Sequence, residues 1–331
     1  MTVAGPADRH DDGQGEQGGE EGPDAAPAAP TAAPTSVPTA VEAVVVAPPR
    51  ILIWREVLYI AAFYALYSLV RNQFGSATVS AAHAYANALT VIDIERALGI
   101  FNEATVQGWF LDASVFLRAV NIYYGTLHFV VPVGVLVYLA LRHPRAYPLW
   151  RTTLLAGTAI ALVGYALFPL MPPRLLCDCP YGAGPAVASE DLPTFVDTLA
   201  VHGGLWSFDS GTMQAVSNQY AAMPSLHMGW ALWCALALWP FLRRRWARAL
   251  AVAYPLFTLF TIVVTGNHFW LDAVGGVVVI AAGYGVARVV QAMMQNRRRG
   301  AGTVAGDAAA KAATIPPASP DPSAAGRSTA Q

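Results

Sequence analysis

Apolar residues in this chain are gathered into runs of about 20, the length at which a helix crosses the hydrocarbon of a bilayer. Nothing else in the sequence narrows the fold so far. In lipid every backbone N–H and C=O must be satisfied within the chain, so runs of this length form helices. Six are read, at about 51–70, 116–141, 152–171, 224–242, 247–265 and 268–290. The first opens on Arg55 and Glu56, which can snorkel to the interface from a helix end. Composition agrees, since 55% of the 331 residues are hydrophobic and only 12% charged, about half the charge of a soluble domain. The expected fold is all-α, a polytopic membrane bundle of six helices within residues 49–299. Residues 1–48 and 300–331, rich in Gly, Ala and Pro, bury too little apolar surface to offset chain entropy and are predicted to be disordered tails. The first tail lacks the basic start and apolar stretch of a signal peptide.

The arginines set an orientation. Arg142, Arg145 and Arg151 fall between the second and third spans, Arg243, Arg244, Arg245 and Arg248 between the fourth and fifth, and Arg297, Arg298 and Arg299 after the sixth. These connections belong to the cytoplasmic side of a bacterial plasma membrane, with both termini inside. The opposite, extracytoplasmic side holds the loops at about 71–115 and 172–223 and the tight turn Gly266-Asn267. In the first of these loops, Val79, Ala82, Ala86, Leu89, Ile92, Ile94 and Leu98 alternate with Asn87, Asp93, Glu95 and Arg96. That pattern predicts an amphipathic helix on the membrane surface, serving as structure or as a lid. The net charge of −1 and the absence of a basic stripe interleaved with aromatics leave no case for nucleic acid.

This topology brings several reactive side chains to one depth. Arg174 follows the third span, His227 falls in the first turn of the fourth, and His268 in the first turn of the sixth. Asp272 is four residues beyond His268 and therefore on the same helix face. A histidine near the operating pH can act as nucleophile, acid or base. A carboxylate one turn away can hold its ring through the second nitrogen, and an ionisable group inside a span is functional by default. Arg174 offers a planar fork of donors for phosphate oxygens. Pro224-Ser225 exposes N–H groups at a helix start, where Ser225 adds a hydroxyl.

Other chemistries fit these residues less well. His227, His268 and Asp272 are the right types for a two-histidine, one-carboxylate metal site. However, the chain has neither HExxH nor repeated histidine boxes, and Arg174 would repel a cation. Ser225 and His227, two apart, do not face each other on a helix. Tyr123, Tyr124 and His128 read as a packing stripe or interface belt, while Asn218 and Tyr220 serve either substrate or loop structure. Cys234 reads as a small packing residue. Cys177 and Cys179 flank Asp178, where a bridge would close a strained ring and a metal site would need more ligands than the sequence shows.

The segments Ala222-Met223-Pro224-Ser225-Leu226-His227 and Gly266-Asn267-His268-Phe269-Trp270-Leu271-Asp272 resemble the type 2 phosphatidic acid phosphatase superfamily. The leucine in Pro-Ser-Leu-His is more similar to the inositol phosphorylceramide synthase branch, an inositolphosphotransferase. The resemblance implies an enzyme of lipid metabolism without metal or other cofactor, acting on a membrane lipid phosphate with water or an alcohol as acceptor. In that scheme His268 attacks phosphorus to give a phosphohistidine, Asp272 orients it, and His227 protonates the leaving oxygen. Arg174, Ser225 and Asn267 would hold the substrate. The chain departs from the phosphatase pattern at Leu167 and Ile262, where a lysine and an arginine are expected. Two fewer cations suit a phosphodiester donor, with about one negative charge, better than a monoester with about −1.5 to −2. Arg118, near the outer end of the second span, is the residue placed to restore one charge. A non-catalytic lipid binder or transporter is the alternative from another class.

Overall fold

The computed structural model describes residues 51–74, 78–179, 182–185, 192–204 and 218–313. The predicted tail at 1–48 and residues 314–331 of the other tail lie outside them. The described residues form nine helices and no strand. They are α1 (Ile53–Phe74), α2 (Ala81–Ala97), α3 (Glu103–Gly108), α4 (Ser114–Arg142), α5 (Tyr147–Leu167), α6 (Thr198–His202), α7 (Leu226–Leu238), α8 (Arg245–Val264) and α9 (Trp270–Ala313).

Four helices are long and apolar enough to cross a membrane: α1, α4, α8 and the Trp270–Arg297 stretch of α9. Two of the six predicted spans therefore differ from expectation. The fourth shrinks to α7, 13 residues followed by a 3-10 turn at Trp239–Phe241: Ser225 caps it inside the predicted start, and Pro240 lies in the turn that ends it. The third, α5, has 21 residues but opens on Tyr147-Pro148 and carries Arg151 and three threonines. It also ends at Leu167, earlier than predicted. Phe168 precedes Pro169, and a residue before proline is pushed out of the α region. The freed strand-like segment turns sideways, with Leu170 N–H donating to Tyr220 O and Met171 N–H to Ala84 O. At the other extreme α9 continues to Ala313, past the boundary at 299 read from composition.

The centre of the bundle is α9, which packs against α5 and α7, while α7 also packs on α4 and α8. Small residues make that contact possible. A Cβ on Gly276 would collide with the Ser225 carbonyl, and Gly229 faces the same spot. Backbone therefore meets backbone where α7 begins. α1 packs on α5, tied by Glu56, which accepts from Tyr147 Oη and from Arg151. Glu56 is thus a half-buried partner, while Arg55 is exposed as expected of a snorkelling residue.

The helix predicted at 78–98 exists as α2, but its buried face differs from the one the apolar spacing picked out. Ala84, Tyr85, Ala88, Val91, Ile92 and Glu95 are buried, whereas Ala82, Ala86, Ile94 and Leu98 are exposed. The difference has a physical source: an acidic residue, Glu95, sits on the covered stripe, where hydrophobic periodicity places a polar boundary. That stripe packs on Leu170, Met171, Leu175, Tyr220 and Phe269. Asn87 adds a hydrogen bond to Pro169 O at 2.8 Å. Cys177 and Cys179 are joined as a disulfide, a pairing that their separation argued against, and Cys234 is buried in the core.

Candidate active site

The site is assembled from a helix end outward. α8 closes with Thr265 as its last cap and Gly266 in the left-handed region at φ 67°. Gly266 N–H donates to Val263 O and Asn267 N–H to Ile262 O, the paired bonds of a glycine-terminated helix. His268 N–H reaches the same Ile262 carbonyl. The turn thereby delivers His268 just before α9, two residues ahead of the first-turn position expected. Its Nδ1 lies 3.2 Å from Asp272 Oδ2, which also accepts from Phe269 N–H at 2.9 Å. A carboxylate oxygen accepts, so Nδ1 carries the proton and Nε2 presents its lone pair. Both side chains are buried, Asp272 completely. The imidazole is consequently fixed in tautomer and direction, as a nucleophile or base requires.

Arg174 forms the second part. Its backbone N–H donates to Gly266 O at 2.7 Å, fastening the 3-10 turn after α5 to the turn that carries His268. Its guanidinium, also buried, donates through Nε to Asn267 Oδ1, through Nη1 to Asp197 Oδ2 and through Nη2 to Gln219 Oε1. Asp197 in turn caps α6 through its other oxygen, accepting from Leu199 and Ala200 N–H. Four separate segments meet on one cation, whose charge Asp197 opposes. Asn267 holds its remaining amide on Thr265 Oγ1.

The third part is α7. Ser225, fully buried, accepts from Met228 N–H as the N-cap and donates its own N–H to Asp272 O at 2.8 Å. The starts of α7 and α9 are thus bonded to each other. This brings the His227 ring to 5.5 Å from that of His268. Tyr124 stacks on His227 at 4.1 Å and 15°, and His128 lies against it at 4.1 Å. His128 Nδ1 is fixed on Tyr124 O at 2.7 Å. His227 Nε2 is buried without a hydrogen-bond partner.

All six sequence-derived site residues, His227, His268, Asp272, Arg174, Ser225 and Asn267, meet at this end of the bundle. Arg118 does not join them. It is exposed on α4, whose inward face carries Leu117, Val120 and Asn121. Leu167 is exposed and Ile262 fully buried, so neither position where a cation is missing supplies a polar substitute. The stripe at Tyr123, Tyr124 and His128 divides. Tyr123 bonds Thr258 on α8 at 2.8 Å, while the other two line His227. Gln219, Gln107, Glu95 and Glu103 escaped the sequence reading. Gln107 reaches Val196 and Val264 carbonyls and accepts from Val196 N–H, which holds the Asp197 segment in place. One signal existed for Glu95, which continues the stripe Ala84, Ala88, Val91 at helical spacing. Among the described residues, no group of three or more His, Cys, Asp or Glu side chains is arranged to hold a metal ion.

Residues 89–286, more than half of the chain, match the PAP2 superfamily. No curated protein and no solved structure matches. The matched stretch runs from the second half of α2 to residue 286 within α9 and so takes in all three parts of the site. With its two histidines, aspartate and arginine gathered by those elements, the chain belongs to the PAP2 superfamily.

Proposed function

We propose that this protein is a membrane-embedded lipid phosphotransferase or phosphatase working through a phosphohistidine on His268. Membership of the PAP2 superfamily supports the broad activity. The observation that carries the mechanism is the His268–Asp272 contact beside the His227 ring. In the first step His268 Nε2 attacks phosphorus, an N–P bond forms and the P–O bond to the leaving group breaks. His227 gives that oxygen its proton. In the second step an acceptor hydroxyl attacks phosphorus, His227 takes its proton, and His268 is released. Arg174, Ser225 and Asn267 hold the phosphate oxygens.

The favoured reaction is headgroup transfer from a phosphodiester lipid such as phosphatidylinositol. Two expected cations are replaced by Leu167 and Ile262, and Asp197 opposes the charge of Arg174. A site this short of positive charge suits a donor carrying about one negative charge. Water as acceptor, giving hydrolysis of lipid phosphates or isoprenoid diphosphates, is the second reading on the same residues. For topology we propose that α5 and α7 complete a six-span bundle. The arginine-rich ends then lie in the cytoplasm with both termini, and the site at the extracytoplasmic face.

Purified protein assayed on phosphatidylinositol, phosphatidic acid and an isoprenoid diphosphate, with and without alcohol acceptors, tests this reading. A new headgroup lipid from phosphatidylinositol and a trapped phosphohistidine are expected. Clear preference for phosphatidic acid with release of inorganic phosphate would reject the transfer reaction. Full function in His268→Ala would reject catalysis altogether.

A further inference from the structure

Three successive amides open the α9 helix, and each is held by a different carboxylate. Phe269 N–H goes to Asp272, Trp270 N–H to Glu103 Oε1 at 3.3 Å, and Leu271 N–H to Glu95 Oε1 at 2.8 Å. Glu95 comes from α2 and Glu103 from the first residue of α3, and neither has any exposed surface. The second oxygen of each, Oε2, is buried and meets no donor. A helix N-terminus favours one negative charge, but three buried carboxylates within one turn repel one another. Two carboxyls in one dry place settle by keeping a proton between them.

We propose that Glu95 and Glu103 are positioning residues of the site, a carboxyl–carboxylate pair that shares one proton and fixes His268 by holding the first amides of α9. This inference rests on the histidine chemistry proposed above. The pair touches Trp270 and Leu271, the two residues between His268 and Asp272 apart from Phe269, so any slip of those amides moves the His268–Asp272 bond. Among the described residues, the ionisable groups at the start of α9 beside the pair are Asp272 in its first turn and His268 just before it. On α2, Asp93 and Arg96 turn to solvent, and Arg174, from the segment packed on α2, is engaged by Asn267, Asp197 and Gln219. Burial, reinforced by the adjoining Glu103 carboxyl, pushes Glu95 from its ordinary 4.5 up to about 9. Between those values the folded protein keeps a proton that the unfolded chain has released. Stability contributed by the pair is therefore highest in acid, falls as pH rises through that window, and levels off above it. Above about 9 Glu95 gives up its proton, and repulsion within the pair loosens the start of α9.

The test follows turnover of phosphatidylinositol, with phosphatidic acid beside it, from pH 6 to 10 in wild type, Glu103→Gln and Glu103→Ala. Wild type should lose kcat through an alkaline limb near pH 9 while KM stays level. Glu103→Gln replaces the shared proton by an amide N–H, so it should work at neutral pH and lose the limb. Glu103→Ala should lose about tenfold or more in kcat at neutral pH. An unchanged limb in Glu103→Gln, or wild-type kcat in Glu103→Ala, overturns the proposal. If Glu103→Ala does not fold, the limb in Glu103→Gln alone decides. If wild type turns over neither lipid, the proposed reaction fails and thermal unfolding against pH judges the pair. A midpoint that falls toward pH 9 in wild type but not in Glu103→Gln upholds the shared proton, and parallel curves reject it.

Discussion

The two ends of this bundle treat charge in opposite ways. At one end Glu95, Glu103, Arg174, His268 and Asp272 are buried, and Asn267, Gln219 and Ser225 are buried with them. At the other, Arg243, Arg244, Arg245 and Arg248 are exposed, and the tie between Glu56 and Arg151 keeps about a fifth of each side chain accessible. Moving charge out of water is costly unless partners replace the solvent. Carboxylates with no exposed surface, Glu95, Glu103 and Asp272, mark the first end as a place where charge has to be aimed. The opposite end needs charge merely to sit at an interface. Each end therefore predicts a different response to substitution.

The largest effect belongs to the histidine and its carboxylate. His268→Ala removes the attacking nitrogen, and turnover should drop by roughly 10⁴-fold or more. Asp272→Asn keeps the shape but leaves the Nδ1 proton without a carboxylate, which should lower kcat by about 10²–10⁴-fold. Steady-state kinetics on the best lipid of the panel measures both. If Asp272→Asn raised KM alone, the carboxylate would be serving substrate binding and not ring orientation.

Next comes Arg174. Removing its guanidinium leaves Asp197, with about a fifth of its side chain still exposed, without its cation and strips acceptors on Asn267 and Gln219 of a donor. Arg174→Ala should destabilise the fold by about 3–5 kcal/mol, seen as a lower unfolding midpoint in detergent. Gln219→Ala, which removes one of the three acceptors, should cost about 1–2 kcal/mol. A stable Arg174→Ala protein that had lost only lipid affinity would make this arginine a dedicated phosphate ligand with no structural duty.

At the opposite end, Glu56→Gln retains the acceptor for Tyr147 and loses the charge facing Arg151. The pair is partly solvated, so the change should cost no more than about 1 kcal/mol and leave turnover unaltered. A loss of activity there would show that the two ends communicate along α5 and α9.

Much of this asymmetry was legible in the sequence, and the reason is chemical. Apolar runs bounded by arginines specify helices and sort their ends, and Pro224-Ser225 and Gly266 mark helix boundaries by backbone chemistry alone. Those signals brought His227 and His268 together without any knowledge of contacts. What stayed hidden depends on tertiary partners. Gln219 and Asp197 become site residues only because Arg174 reaches them across the chain. Glu95 is masked for the opposite reason: its spacing continues the stripe Ala84, Ala88, Val91, but hydrophobic periodicity assigns an acid to water, and only the first amides of α9 make a buried carboxylate worthwhile. Hydropathy overstates the lengths of α5 and α7 because it counts apolar residues and does not see that Phe168 leaves the helix, that Ser225 caps α7 or that Trp239–Phe241 tightens to a 3-10 turn.

The smallest predicted effect tests the electrostatics of the site most cleanly. Counting charges along the sequence made Arg118 a candidate replacement for the cations missing at Leu167 and Ile262. Helix geometry opposes it, because Leu117, Val120 and Asn121 occupy the inward face of α4 and Asn121 bonds the carbonyls of Thr198 and Gly203 at 2.8 and 2.9 Å. Arg118 is one position from Leu117, about 100° around the helix, and exposed. Arg118→Ala should change neither the unfolding midpoint nor kcat, and at most reduce lipid association slightly at low salt, where long-range attraction is least screened. A large fall in kcat at physiological salt would return a second positive charge to the site. The case for a singly charged donor would then lose its main support, since that case stands on how little positive charge this end of the bundle retains.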